Sequence, residues 1–175
     1  AIEADVAQFH SLLAKVEPQL KALKKSPRAA SIKPRIDVID TALADAMAKD
    51  KAHAGPAALV PLRQANDSLT AAKRADEQRA QFDQRSGELA KRVDKVGDAT
   101  EKTAVTALLA DAKKAADGLD FAASTKALDG IEVRLDKGRL ETMMKAAKPD
   151  AKALAKLAAT MVGKGGAATV DQMIH

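Results

Sequence analysis

The chain has 175 residues and a formal net charge of +5 at pH 7, and it contains no Cys, Trp or Tyr. This length allows one ordinary domain or two small helical bundles in series, and the lack of cysteine excludes disulfides and thiolate metal sites. Basic and acidic residues are interspersed along most of the chain, which is typical of a solvated helical surface.

Alanine dominates the apolar residues, and aromatic residues make up 2% of the chain. Alanine has the highest helix propensity and very little side-chain volume, so it suits close packing of helices better than a deep globular interior. Residues that favour strands are sparse and never alternate over a useful length. The longest apolar run, residues 104–110, is far shorter than the roughly 20 residues of a transmembrane helix. The sequence therefore predicts an all-α fold without a transmembrane segment.

The first two predicted helices are amphipathic, because their apolar residues are three or four positions apart. In the first helix these residues are Val6, Phe9, Leu12, Leu13, Val16, Leu20 and Leu23. Pro18 should kink this helix or break one turn, and residues 25–27 should end it. The second helix has Ser31 as candidate N-cap and Pro34 in its first turn. Its apolar face is predicted to contain Ile36, Ile39, Leu43 and Met47.

A third helix should begin at Pro56 and continue unusually far, because residues 70–85 contain neither Pro nor Gly. Its apolar face is predicted to contain Leu59, Leu62, Ala65, Leu69, Ala72, Phe82, Leu89, Val93 and Val96. The sequence therefore predicts one helix of about 40 residues, with a length of about 60 Å. Gly97 and Asp98 should end it, and Asp98 followed by Glu101 resembles a capping box for a fourth helix.

The remaining helices are predicted from the same periodicity. The fourth has an apolar face of Val105, Leu108, Leu109, Ala112 and Ala116, and it ends at Gly118. A fifth carries Leu128, Ile131 and Leu135 and continues to Pro149. A short helix is expected over residues 150–162, followed by a flexible break at residues 163–166 and the start of another helix at Thr169.

Two halves of the chain share a pattern that suggests a diverged duplication. Phe9 and Phe82 match at a distance of 73 residues, Ile36 and Val105 at 69, and Leu62 and Leu128 at 66. We therefore predict two three-helix units, residues 1–75 and 76–148, which share the long third helix. Residues 149–175 form a separate tail that could open a third unit or lead into a following domain.

This arrangement resembles spectrin repeats, which are three-helix units joined by a shared long helix. Spectrin repeats usually carry a tryptophan in the first helix, where this chain has Phe9 and Phe82. The Ala-rich stretch AKKAADGLDFAASTKALDGIEVRL is also similar to helical segments of large bacterial secreted proteins, including polymorphic toxins and type VI effectors. The resemblance implies an elongated helical spacer between other domains, and it implies no catalytic or binding residue.

Candidate chemical groups lack the spacing of known sites. His10, His53 and His175 show no metal-ligand spacing, and we predict no metal, cofactor or catalytic residue. Two carboxylate sets, Asp129, Glu132 and Asp136 on one face and Asp37 and Asp40 on another, could serve acid–base chemistry if buried. Because basic residues alternate with them, we interpret both as solvated faces. The loop Gly163-Lys164-Gly165-Gly166 lacks the P-loop pattern and is interpreted as a linker.

One basic run could contact phosphates, since six bases occur without an acid: Lys21, Lys24, Lys25, Arg28, Lys33 and Arg35. No aromatic residue is nearby to stack on bases, so nucleic-acid binding is only an alternative prediction. The segment AKALAKLAATMV could lie on a membrane surface, but its modest apolar face fits bundle packing better.

The favoured prediction is a non-enzymatic helical scaffold or spacer that contacts a protein partner or neighbouring domains of the same polypeptide. A core of small side chains offers no obvious deep pocket for catalysis. The predicted contact residues are Leu140, Met143, Met144 and Leu154, because the second unit ends there and methionine adapts to partner surfaces. The chain is expected to be a soluble piece of a longer bacterial protein, cytoplasmic or secreted. The alternatives are a helical toxin or effector domain and a nucleic-acid or membrane-surface binder.

Overall fold

The fold is described by a computed structural model over residues 2–146, 155–156 and 158–159. Its helices are α1 (Ile2–Lys24), α2 (Lys33–Lys51), α3 (Pro56–Asp94), α4 (Ala99–Asp117) and α5 (Phe121–Ala146). No strand occurs in these described ranges, so the all-α prediction is confirmed. The predicted short helix, glycine-rich break and final helix fall mostly or wholly outside them.

The chain forms two compact units, Ala1–Gln81 and Phe82–His175. α3 is one helix of 39 residues, so residues 56–81 of it belong to the first unit and residues 82–94 to the second. The predicted long helix is therefore present, and it ends at Asp94. In the first unit α1 contacts α2, and in the second α4 packs against α5.

α1 continues through Pro18 instead of ending there. Pro18 is exposed, and the missing backbone N–H costs one helical hydrogen bond. Val16 and Leu20, on either side of it, are buried, so core packing holds both parts of the helix in place.

α2 differs from its prediction in its N-cap and in one residue of its apolar face. The N-cap is Ile32, without a side-chain cap hydrogen bond, so the proposal of Ser31 as N-cap is wrong. Ile32 is fully buried, and its packing positions the start of the helix in place of a polar cap. Met47 is 45% exposed, whereas Ala46 is fully buried. Ala46 is two helical turns from Ile39 and therefore faces the same side, while Met47 is rotated ~100° away.

The starts of α4 and α5 are capped by aspartates. The Asp98 carboxylate accepts a hydrogen bond from the backbone N–H of Glu101 at 2.8 Å, as the sequence predicted. The Asp120 carboxylate accepts one from the N–H of Ala123 at 3.0 Å, which the sequence analysis missed. In each case the side chain satisfies a donor that the first helical turn leaves without a partner.

We predict that Asp98→Ala lowers the free energy of unfolding by about 1 kcal/mol, the usual cost of losing an N-cap. Asp98→Ser is the matched control, because its hydroxyl still accepts the N–H of Glu101 and should keep most of the stability. Urea denaturation followed by circular dichroism measures both. Equal losses in the two variants would show that the cap does not stabilise α4.

Each unit has a core of aliphatic and small side chains, with Phe9 buried in the first unit and Phe82 and Phe121 buried in the second. In the first unit the core includes Phe9, Val16, Leu20, Ile39, Ala46, Leu62, Ala65, Leu69 and Ala72. In the second it includes Phe82, Leu89, Val93, Val105, Ala112, Ala116, Leu128, Ile131 and Leu135. Leu108 and Leu109 of the predicted α4 face are half-buried. The two cores match most of the apolar positions predicted from periodicity.

The 69-residue correspondence between the second and fourth helices is wrong. It pairs the exposed Met47 with Ala116, which is fully buried. α2 and α4 both have 19 residues, Lys33–Lys51 and Ala99–Asp117, and both of their ends differ by 66. The apolar pattern alone was ambiguous because a helix repeats its faces every three or four residues.

Candidate functional site

The predicted contact residues lie at the end of α5 and beyond it. Met143 is 40% exposed and Leu140 is 6% exposed, while Met144 is half-buried. Leu154 lies outside the residues that the structure describes. Met143 is therefore the one of the three described side chains that presents a large apolar group to solvent.

The carboxylates of α5 are held by arginines of α3. Arg85 Nη2 donates to Asp129 Oδ1 at 2.5 Å and to Glu132 Oε2 at 2.9 Å. Arg92 Nη2 donates to Asp136 Oδ1 at 2.7 Å. Asp136 is buried at 9% exposure, so the prediction of a solvated face is wrong for this residue. The partners in these pairs come from α3 and not from basic neighbours on α5.

A shared spacing explains these ion pairs. Arg85 and Arg92 are seven residues apart, as are Asp129 and Asp136, so each pair repeats after about two helical turns. Because the residue numbers increase together, α3 and α5 run in the same direction within the second unit. Burial lowers the pKa of Arg85, but its hydrogen bonds to Asp129 and Glu132 outweigh this and raise the pKa above its ordinary value. Arg85 therefore remains a cation beside the two carboxylates.

α4 is linked to α5 by another ion pair. Arg134 Nε donates to Glu101 Oε1 at 2.5 Å, and its Nη2 donates to Oε2 at 3.1 Å. This bidentate geometry is the favoured one for guanidinium and carboxylate groups. Glu101 thus lies in the first turn of α4 and also binds α5, which ties the start of one helix to its neighbour.

The second carboxylate set is also engaged in ion pairs. Asp37 pairs with Lys33 one turn earlier at 2.7 Å, and Asp40 pairs with Lys24 of α1 at 2.6 Å. These side chains are largely exposed, so each pair contributes at most about 1 kcal/mol. The interpretation of this set as a solvated, paired surface agrees with these contacts.

Three bases of the run from Lys21 to Arg35 pair with acids of the same unit. Lys24 and Lys33 pair with Asp40 and Asp37 as described above, and Arg28 pairs with Asp76 of α3 at 2.9 Å. Half of the six bases thus have a carboxylate partner on the same unit. This pairing reduces the positive potential that a phosphate backbone would meet.

The α1–α2 loop contacts α3 through a partly buried polar network in the first unit. Ser26 Oγ donates to Asp76 Oδ1 at 2.7 Å, and it accepts the backbone N–H of Arg28 at 3.2 Å. Arg28 donates through Nε to the Asp76 backbone carbonyl and Oδ1, and through Nη2 to Oδ2. The side chains of Asp76 and Arg28 are 16% and 30% exposed. This network holds the loop against α3.

The network lowers the pKa of Asp76. Burial alone would raise it, but the hydrogen bonds from Arg28 and Ser26 and the positive charge of Arg28 together outweigh burial. A carboxylate with a lowered folded-state pKa contributes stability above its unfolded pKa, and this contribution is lost as the pH falls through the folded value. The network should therefore stabilise the protein at neutral pH, and its contribution should decline as the pH falls below the ordinary Asp pKa of about 3.9.

We predict that Asp76→Asn lowers the free energy of unfolding by about 1–3 kcal/mol at pH 7, the cost of breaking charged hydrogen bonds in a partly buried site. The difference from the parent protein should be smaller at pH 3, because the unfolded chain then binds a proton at Asp76 that the folded network resists. Urea denaturation at the two pH values measures both effects. The control is Asp37→Asn, whose exposed pair with Lys33 is worth roughly 0.5 kcal/mol or less. An Asp76→Asn deficit that does not change with pH would contradict the role given to the carboxylate charge.

Two histidines lie in the described part of the chain. The ring of His10 contacts Phe9 edge-on, with ring centroids 5.6 Å apart, and His53 lies in the α2–α3 turn with a φ of 54°. His175 is outside the described residues. Within these residues no three His, Asp or Glu side chains are grouped so that they could hold a metal ion. No helix there combines the length and apolarity needed to cross a bilayer.

Sequence reasoning missed the α3 arginines and the Ser26–Arg28–Asp76 network. The signal for the first was present, since the seven-residue spacing of Arg85 and Arg92 equals that of Asp129 and Asp136. The second had no such signal, because a loop residue and a residue 48 positions later meet only once the helices pack.

Comparisons of the chain with protein-family models, curated proteins and solved structures found no match.

Proposed function

We propose that this chain is a non-enzymatic helical scaffold or spacer within a larger bacterial polypeptide, such as a secreted effector. The observation that carries the proposal is α3, an uninterrupted helix whose first 26 residues, 56–81, lie in one compact unit and whose remainder lies in the next. A helix shared in this way joins the two units without an intervening loop, as a spacer requires.

The proposed arrangement is a tandem of spectrin-like three-helix units. One feature of each unit supports it. In the first unit Lys73 donates to Gln19, and Arg28 binds Asp76, so α3 runs in the same direction as α1. In the second unit α5 runs in the same direction as α3, as its ion pairs require. A first and a third helix that are parallel, with an antiparallel helix between them, form the up-down-up order of such units.

The use made of charged residues supports a structural rather than a catalytic role. Asp129, Glu132 and Asp136 accept hydrogen bonds from arginines that join α5 to α3. A general acid or base needs a proton-transfer position facing a substrate and a pKa near the working pH. Carboxylates engaged with permanently charged guanidinium groups are better suited to holding helices in register.

We test the spacer proposal by measuring a distance along α3. Because the chain contains no cysteine, cysteines introduced at Arg63 and Lys91 would be its only labelling sites. Both positions are exposed and lie on α3. With spin labels, pulsed electron paramagnetic resonance should give a single narrow distribution near 42 Å between the two backbones, from about 1.5 Å per residue. A broad or much shorter distribution would show that α3 is not a rigid link, and the proposal would fail.

We place the proposed partner contact at the end of α5, where Met143 is exposed. A photo-crosslinking residue at Met143 in the full-length parent polypeptide should attach to a neighbouring domain or a protein partner. The matched control is Val133, which is on the same helix and 54% exposed. Around the helix axis, the side chain of Val133 is rotated by ~80° from that of Met143. Equal crosslinking at the two positions, or none at Met143, would refute this placement.

A further inference from the structure

We propose that the spacer has a modular length, in which a helix–turn–helix segment recurs every 66 residues and can be removed or added in register. The biological meaning of this inference rests on the spacer function proposed above. The 66-residue spacing itself rests on the geometry of α2, α4 and the turns that follow them. Its consequence is that the reach of the chain changes in whole units.

The turns after α2 and α4 have the same backbone conformation at positions that differ by 66. Ala52 has φ −78° and ψ 3°, and Gly118 has φ −82° and ψ 6°. The following residues, His53 and Leu119, have φ of 54° and 62°. A left-handed conformation is uncommon for residues other than glycine. The two turns share no residue type at these two positions, although both have the left-handed residue of a common helix-end motif.

The backbone hydrogen bonds of the two turns also correspond one for one. In the first turn they run from Ala52 N to Ala48 O, His53 N to Asp50 O and Ala54 N to Lys49 O, at 3.1, 2.9 and 3.0 Å. In the second they run from Gly118 N to Lys114 O, Leu119 N to Ala116 O and Asp120 N to Ala115 O, at 3.1, 3.0 and 2.9 Å. Left-handed helix ends are common in proteins, so the turn alone would not establish the register.

Burial decides the register. Ile39 and Ala46 in α2 are fully buried, as are Val105 and Ala112 in α4 at +66. The next helices continue the match, with Leu62, Ala65 and Leu69 paired to Leu128, Ile131 and Leu135, all buried. The four letters LADA occur at residues 43–46 and again at 109–112. Helix length, turn geometry, core positions and sequence thus agree on one shift.

Two surface ion pairs do not recur at this spacing. The ion pair of Glu101 and Arg134 corresponds at −66 to Arg35 and Ser68, and the pair of Lys33 and Asp37 corresponds at +66 to Ala99 and Thr103. The recurring feature is therefore the packing that sets length and direction. A duplicated ligand site would instead repeat its polar side chains.

The test removes residues 44–109, which joins Leu43 to Ala110 and keeps the sequence LADA across the junction. Asp76 is lost with this segment, so Arg28→Gln accompanies the deletion. We expect a shortened protein with a helical circular dichroism spectrum and one cooperative urea transition. The register control removes residues 44–107 with the same substitution. It rotates the rest of the hybrid helix by about 200°, so Ala112 leaves the core face, and we expect the cooperative transition to be lost.

A complementary variant carries residues 44–109 twice and should unfold cooperatively with more helix than the parent chain. The proposal is overturned if neither the shortened nor the lengthened protein folds, or if the out-of-register deletion folds as well as the in-register one. These outcomes are independent of the distance measured along α3 in the parent chain. A flexible α3 would remove the spacer function while leaving the 66-residue register intact.

Discussion

The Phe82→Ala variant is expected to lose about 3–5 kcal/mol of free energy of unfolding, the usual cost of truncating a buried aromatic side chain. Phe82 is 6% exposed and lies in the second unit. Its ring is a large side chain in a core composed mainly of Ala, Val, Leu and Ile. Small neighbours on rigid helices collapse poorly into the space that the ring leaves, so most of the cavity cost should remain. Urea denaturation followed by circular dichroism measures the loss.

Two further variants show whether the effect belongs to the core. Phe9 is buried in the first unit, and Phe9→Ala should lose a similar amount. Val38 is more than half exposed, and Val38→Ala should change stability by less than about 0.5 kcal/mol. A loss below roughly 1 kcal/mol for Phe82→Ala would contradict the central place given to this ring.

A proline in the shared helix is the second large perturbation. We expect Gln81→Pro to destabilise the protein by about 3 kcal/mol or more, because proline removes one helical hydrogen bond and clashes with the preceding turn. Gln81 is exposed and ends the first unit, so no core packing is lost with its side chain. If α3 couples the units as proposed, the urea transition should also separate into two, and the distance between labels at Arg63 and Lys91 should broaden.

Gln81→Ala is the matched control and should leave stability within about 0.5 kcal/mol, since alanine favours helices. The effect of a proline depends on the helix that contains it, because α1 continues through Pro18. A Gln81→Pro protein that unfolds in one transition, with a narrow label distance and the stability of the control, would show that α3 need not be continuous.

Most of the helical architecture could be predicted from local sequence features. The long α3, its start at Pro56 and the Asp98 cap are decided within a few residues by helix propensity, the absence of Pro and Gly, and the position of a capping side chain. Local sequence features did not predict the N-cap of α2 correctly. There Ser31 has the better capping side chain, but the burial of Ile32 decided the boundary.

The candidate sites were predicted less well than the helices. The acidic face of α5 was recognised, but its partners Arg85 and Arg92 were not, because their contact depends on the axial shift between two helices 44 residues apart in sequence. Leu140 is predicted as a contact residue because it is an apolar residue at the end of the second unit. Its burial at 6% exposure follows from packing that no local pattern contains.

The sequence by itself determined that this chain forms helices and which side of most of them is apolar, because propensity and periodicity act over one or two turns. Only the tertiary structure decided which charges meet and which register relates the two units. Both depend on the rotation and shift of whole helices, and a helix presents similar faces every three or four residues. The Arg28–Asp76 contact and the proposed 66-residue correspondence therefore depend on turn geometry and burial, which local sequence patterns do not contain.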